Sequence, residues 1–209
     1  MLKLFYAPGA CSLAPHIALE EIGGDHQFER VSLRDGGQRA PAYLAINPKG
    51  RVPALATDRG VLTENPAILA YLAQSFPAAN LAPLDDPFAF AKMQGFNLFL
   101  CATVHVAFAH AFRPERYGDG EAAAQAMRAK APRALADAFA LIEETLADGR
   151  PYVLGDRYSV ADPYLLVFSR WMDSRGLGSL AGFPKTAAHL ARVSERPATV
   201  RALAREAGG

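Results

Sequence analysis

Cysteine is scarce in this chain. Cys11 and Cys101 are the only two among 209 residues, too few for a disulfide framework. A reducing, cytoplasmic setting is the expectation that follows. The five histidines form no cluster with cysteine or acid at metal-ligand spacing, so no metal site is expected. Neither sign of charge dominates. The 22 Lys and Arg against 21 Asp and Glu leave a net charge of +1, which gives no footprint for nucleic acid or an anionic membrane. No apolar run approaches the roughly 20 residues of a bilayer span, and Pro8-Gly9 cuts the apolar start of the chain too short for a signal peptide. Internal repeats are missing too, and the alanine bias reads as helix propensity. What remains is globular in composition, 51% hydrophobic and 21% charged, with length for one or two domains.

Residues 1–79 alternate short strand-like and helix-like runs. Leu2 to Tyr6 reads as a strand, Cys11 to Ile22 as a helix closed by Gly23-Gly24, and Phe28 to Leu33 as a second strand. A short irregular helix over Ala42 to Ile46 precedes two strands around the turn Asp58-Arg59-Gly60, and a helix over Asn65 to Phe76. The order βαβαββα predicts a small mixed sheet carrying helices. Residues 80–87, interrupted by Pro83 and Pro87, read as a linker. Residues 88–209 read as helical, with runs at Phe88 to Phe112, Glu121 to Leu146, Ser159 to Met172, Thr186 to Ser194 and Ala198 to Ala207. Pro132 is expected to bend the second of these.

Three constellations carry chemistry. Tyr6 ends a strand, and Cys11-Ser12 opens a helix just beyond Pro8-Gly9. If all three side chains face one hollow at the strand's carboxyl end, they meet where α/β sheets usually hold ligands. A helix N-terminus would favour thiolate and lower the Cys11 pKa; the alternative is an inert, buried cysteine. Tyr6 reads equally as a core or rim aromatic. Ala14 stands three residues after Cys11, which excludes a dithiol couple in that turn. The second constellation is Asn47-Pro48-Lys49-Gly50-Arg51-Val52-Pro53. A proline at a strand start removes a ladder donor, and a cis Val52–Pro53 bond would turn the Val52 N–H and C=O toward a peptide ligand. The third is Thr63-Glu64-Asn65-Pro66, with Asn65 as a helix N-cap and Pro66 at the first helical position. Glu64 either complements the helix dipole or grips a ligand ammonium.

In the long helical run, Leu98, Ala102, His105, Phe108 or Ala109, and Phe112 recur at helical spacing and predict the buried stripe. On such a face His105 is either a core residue or a ligand contact. Phe96, Phe99, Phe108 and Phe112 read mostly as core, with part of the group walling an apolar pocket, and Cys101 reads as a small buried residue. Ser159 and Asp162 predict a capping box, with the hydroxyl taking the N–H three residues on and the acid reaching back.

Phe5 to Leu13 (FYAPGACSL), Asn47 to Leu55 (NPKGRVPAL), Thr63-Glu64 before a helix and Ser159-Val160-Ala161-Asp162 together resemble the bacterial glutathione S-transferases, the beta class above all. The similarity covers nearly the whole chain. It implies a thioredoxin-like glutathione-binding domain joined to an all-α domain that lines the second-substrate pocket, and a homodimer. By that resemblance Cys11 lies by the glutathione sulfur and is able to form a mixed disulfide. Tyr6 matches the strand tyrosine, Val52 the residue whose backbone pairs with the tripeptide, and Pro53 the cis-proline. Glu64 matches the acid that holds the γ-glutamyl end, and His105 a helix histidine that approaches from the second domain. Arg51 and Asn65 join the glutathione contacts.

Three positions depart from the family pattern. Val106 stands where many beta members carry Lys, Asn65 where Ser or Gly is frequent, and Asn97 one residue before the expected helix asparagine, a place taken by Leu98. One residue is a turn of about 100° on a helix, so Asn97 is expected to point that far from the usual direction. Arg34, Arg51 or Arg113 are the candidates to compensate for the missing cation. The expected activity is conjugation of glutathione thiolate to a hydrophobic electrophile, with thiol-disulfide exchange through Cys11 as a second capability. Glutathione-dependent isomerase or dehalogenase activity, and a non-enzymatic interaction protein on the same fold, are the rivals.

Overall fold

The computed structural model of the chain describes residues 1–208. Strand β1 (Lys3–Tyr6), helix α1 (Leu13–Ile22), β2 (Gln27–Arg30), α2 (Pro41–Ile46), β3 (Ala54–Thr57), β4 (Gly60–Thr63) and α3 (Asn65–Ser75) follow the expected βαβαββα order. The sheet runs β2-β1-β3-β4, with β1–β2 parallel and the other pairs antiparallel. Alternation along β1 divides its side chains between two layers. Leu4 and Tyr6 enter the main core with Leu13, Ile17, Leu55 and Leu69, whereas Phe5 joins Val31, Tyr43 and Ala54 on the other face.

The second strand begins one residue earlier and ends three residues sooner than the Phe28–Leu33 expected; Val31 N–H still bonds to Tyr6 O, and the chain then enters a turn over residues 33–36. Helix α1 starts at Leu13, two residues later than expected, and closes on Gly23 at φ 71°, a backbone that favours glycine. The segment after Ala79 has no helix or strand until Pro87, yet Leu81, Ala82 and Pro83 are buried and Leu81 O accepts the Val160 N–H at 2.9 Å.

The helical part comprises α4 (Pro87–Phe99), a π-helical turn (Leu100–Val104), α5 (His105–Phe112), α6 (Glu121–Thr145), α7 (Ala161–Ser174), α8 (Pro184–Ser194) and α9 (Pro197–Gly208). Asp86 caps α4 by accepting the Phe88 and Ala89 N–H groups. Helix α6 continues through Pro132. Helix α7 buries every residue from Ala161 to Ser169, and Met172 beyond them, in the core, and turns Arg170, Asp173 and Ser174 outward. Helix α9 returns to the first part, where Arg201 and Arg205 hold Glu20, and Arg196 holds Glu21 at 2.6 Å.

Helices α4 and α5 with their π turn form one 26-residue helix, long and apolar enough by composition to cross a membrane. It packs instead against α6 and α7, burying Met93, Asn97, Leu100, Val104, Phe108 and Ala111. The buried face therefore lies one residue earlier than the stripe expected. Leu98 and Ala102 face outward, Phe112 is 39% exposed, and His105 lies at the boundary between core and cavity. The helix is apolar on two faces, so periodicity alone does not choose between them. Asn97 points into the core, with its Nδ2 donating to Gln94, and Leu98 is the residue turned to the outside.

Candidate functional site

A cavity of about 240 Å³ opens between the sheet part and the helical part. Cys11, Arg51, Val52, Pro53, Glu64, Asn65 and His105, seven of the eight residues singled out from the sequence, line it. Tyr6 does not. It lies two places from Leu4 on β1, and period-2 alternation aims it into the α1 core, where its ring meets His16 at 5.0 Å. Ser12 is fully buried too, and its hydroxyl bridges Ala7 N–H and C=O. Of that first trio only Cys11 reaches the cavity.

The loop that presents Cys11 is tied down from several sides. Asn65 is the first residue of α3 rather than its cap; Glu64 holds the cap position at φ 72°. From there Asn65 Nδ2 donates to the Cys11 carbonyl at 3.0 Å. Gly9, at φ 67°, donates its N–H to Glu206 Oε2 at 2.8 Å. Its carbonyl accepts Trp171 Nε1 at 2.9 Å and an Arg175 guanidinium N–H at 3.2 Å. Sequence reading missed these three residues, on α7, just past its end and on α9, because nothing local marks a tryptophan or a glutamate 160 and more positions away as a loop anchor.

The Cys11 thiol is 7% exposed. Burial pushes its pKa up to about 12, outweighing the lowering contributed by Asn65 and by its own backbone N–H. The expected depression at a helix N-terminus is therefore reversed: the helix starts two residues beyond, and the desolvation cost of the anion is the larger effect. Its S–H donates to the Val52 carbonyl at 3.7 Å, a bond that favours the neutral form. Cys101, expected to be buried, is partly exposed and lines the same cavity.

The Val52–Pro53 bond is cis. The preceding peptide unit is aimed by Tyr43, which the sequence did not suggest, and by Asn47, the first residue of the second constellation. Tyr43 Oη and Asn47 Nδ2 each donate to the Arg51 carbonyl at 2.7 Å. In a trans peptide the N–H points opposite the C=O, so the Val52 N–H is directed away from that pair and has no partner among the described residues. Only one of the two Val52 groups is thus a free backbone contact, since its carbonyl already accepts the thiol. Glu64 projects at the cavity edge and is held by Lys49 at 2.6 Å.

The helical part supplies the opposite wall. His105 packs edge-on against Trp171 (5.4 Å) and tilted against Phe168 (5.6 Å). Burial first, then the Arg51, Arg116 and Arg175 charges, lower its pKa to about 4, so the imidazole is neutral at pH 7. Phe108 and Phe112 wall the cavity, whereas Phe96 and Phe99 pack on the core. Tyr164, fully buried, contributes a hydroxyl with no partner among the described residues. Val106 lines the cavity without a charge. Arg113 does line it, Arg34 does not, and Arg116 and Arg175 join Arg113 without having been foreseen.

Asp162, at the start of α7, fixes this wall. Its Oδ2 accepts the Ser159 N–H at 2.7 Å and the Ser159 hydroxyl at 3.2 Å, and its Oδ1 accepts Val153 N–H at 2.8 Å and His189 Nε2 at 2.9 Å. The acid reaches back as expected. The Ser159 hydroxyl, however, accepts from Ala161, two residues on, instead of three.

Comparison with known proteins gives consistent matches. A model described as glutathione S-transferase, N-terminal domain, fits residues 1–74, and its C-terminal counterpart fits residues 99–197. Glutathione S-transferase GstA of Escherichia coli O157:H7 is 37% identical over 208 residues, which span 98% of each protein. A glutathione transferase homologue from Sulfitobacter, crystallised with bound glutathione, superposes with a TM-score of 0.92 at 38% identity, over 100% of this chain and 98% of that one. A bacterial beta-class glutathione S-transferase from Sphingomonas chungbukensis superposes with a TM-score of 0.85 at 37% identity over 98% of both.

Proposed function

Because the chain belongs to the glutathione S-transferase family, we propose that its cavity binds the tripeptide along β3 and the start of α3 and directs the tripeptide's thiolate at an electrophile held by the helical wall. The observation that carries this reading is the unpartnered Val52 N–H, aimed by Tyr43 and Asn47, with the Glu64 carboxylate and Cys11 around the same cavity. Val52 N–H donates to a tripeptide carbonyl, Glu64 accepts from the γ-glutamyl ammonium, and Arg51 faces a carboxylate. The sulfur lies beside Cys11. There the positive potential of Arg51, Arg113, Arg116 and Arg175 favours the thiolate, and the thiol proton leaves to solvent. Attack forms a C–S bond, and the leaving group departs with its electron pair. His105, neutral at pH 7, serves as a hydrogen-bond partner and not as a cation.

Calorimetry tests the reading directly. The wild-type protein is expected to bind glutathione, and Glu64→Gln to weaken that binding about tenfold or more, the scale of a lost charge-assisted bond. No heat at millimolar glutathione, or an unchanged affinity in Glu64→Gln, overturns it.

The homodimer belongs to the same proposal. Phe88 (70% exposed), Ala91, Gly95, Leu98 (54% exposed) and Ala102 fall at three- and four-residue steps on the outward face of the long helix. An apolar stripe of this kind is what a self-complementary interface buries. Sedimentation is expected to give about twice the 22.4 kDa of one chain, and a stable monomer at micromolar concentration refutes it.

A further inference from the structure

The charge on the helical wall exceeds what the tripeptide requires. Arg51, Arg113, Arg116 and Arg175 all line the one cavity, and Glu64 is the one acid among its lining residues. Glu64 is already held by Lys49. None of the four arginines takes part in an ion pair among the described residues. Arg51 lies on the sheet side, next to the Val52 contact, and is accounted for by the tripeptide. Arg113, at the end of α5, Arg116, just beyond it, and Arg175, at the end of α7, lie on the other side.

Helix C-termini do attract cations, which explains Arg113 and Arg175 individually. It does not explain why three guanidinium groups converge on one hollow. Burial first, and then repulsion from Arg51 and Arg113 on Arg116 and from Arg113 on Arg175, hold the Arg116 and Arg175 pKa values down, so the assembly carries an electrostatic cost that an anion would relieve. The same wall is flat and aromatic. The Arg175 guanidinium stacks over Trp171 at 4.5 Å and lies 5.2 Å from the Phe112 ring. Glu115, next in sequence to Arg116, does not line the cavity and offsets this charge only in part.

Resting on the transferase reading above, we infer that the second substrate is an anion: an electrophile that sets a carboxylate between Arg113 and Arg116 and lays a flat apolar body against Phe112 and Trp171. A guanidinium fork matches a carboxylate in shape as well as charge.

The test compares two product analogues that differ only in charge, S-(4-carboxybenzyl)glutathione and its 4-methoxycarbonyl ester, by calorimetry at low salt. The carboxylate is expected to bind about tenfold more tightly than the ester, and in an Arg113→Gln/Arg116→Gln protein the ratio is expected to fall to about threefold or less. The ratio is internal to each protein, so a general loss of affinity in the variant does not mimic the result. Equal binding of the two analogues to the wild type overturns the inference and leaves the transferase reading standing. A tenfold ratio that survives the double substitution also overturns it, since the carboxylate is then read elsewhere, by Arg51 or by Arg175. Failure of both analogues and of glutathione itself to bind overturns the transferase reading and this inference with it.

Discussion

An Asp162→Ala protein is expected to be about 3–5 kcal/mol less stable than the wild type, the cost of breaking a buried charge network from one side. The carboxylate is fully buried and accepts four bonds from three places: Val153 in the preceding loop, Ser159 through backbone and hydroxyl, and His189 on α8. Alanine removes every acceptor at once. The orphaned donors at Val153, Ser159 and His189 cannot reach water, and each unsatisfied buried group costs about 1–3 kcal/mol. Asp162→Asn is expected to fare little better, because its amide presents two N–H donors to a site built from donors. Urea unfolding is the measurement, with the midpoint expected to fall by about 1–2 M. A loss below about 1 kcal/mol would mean that the network relaxes onto other acceptors and is not a keystone of the helical part.

In the ligand-free protein Cys11 is expected to resist alkylation. With its pKa pushed up to about 12, its thiolate population at pH 7 is about a thousandfold below that of an ordinary cysteine. Iodoacetamide labelling, followed by peptide mass spectrometry, is expected to show Cys11 reacting about a thousandfold more slowly than a free thiol at pH 7, and about tenfold faster for each added pH unit. The sign for stability follows. The unfolded thiol ionises first, so the neutral buried form stabilises the fold below about pH 8.5, and that contribution is lost as pH rises toward about 12. Labelling at pH 7 within about tenfold of a free thiol would show that the sulfur is solvated or charge-stabilised after all. Cys11 in this state is a poor nucleophile, which makes the positive potential at the cavity, acting on the tripeptide's own sulfur, the more effective route to a reactive thiolate.

Much of the sheet part was legible because its punctuation is local. Gly23, the Asp58-Arg59-Gly60 turn and Pro66 mark boundaries within a residue or two, and the motif runs around Cys11, Val52 and Glu64 led to residues that share one cavity. The errors have separate physical sources. Tyr6 was set in the hollow because it is near Cys11 in sequence, but strand alternation takes it to the core. Asn65 has the chemistry of a cap, yet spends its amide on the Cys11 carbonyl. The long helix carries two apolar faces, one for the core and one outward, and its periodicity fits either. The Cys11 pKa was read from the dipole alone, with no measure of how much water the fold removes. Tyr43, Trp171, Arg175 and Glu206 were beyond reach because their roles depend on contacts that only the folded chain brings together.

The Gly9 peptide is grasped on both sides by side chains from the helical half, Trp171 and Arg175 at its oxygen and Glu206 at the nitrogen. The turn that carries the cysteine is therefore shaped by a scaffold it does not belong to. Chemistry at the sulfur is in this sense a joint property of the two halves: a disturbance near the far end of the polypeptide, remote from any substrate, has a short mechanical path to the reacting centre.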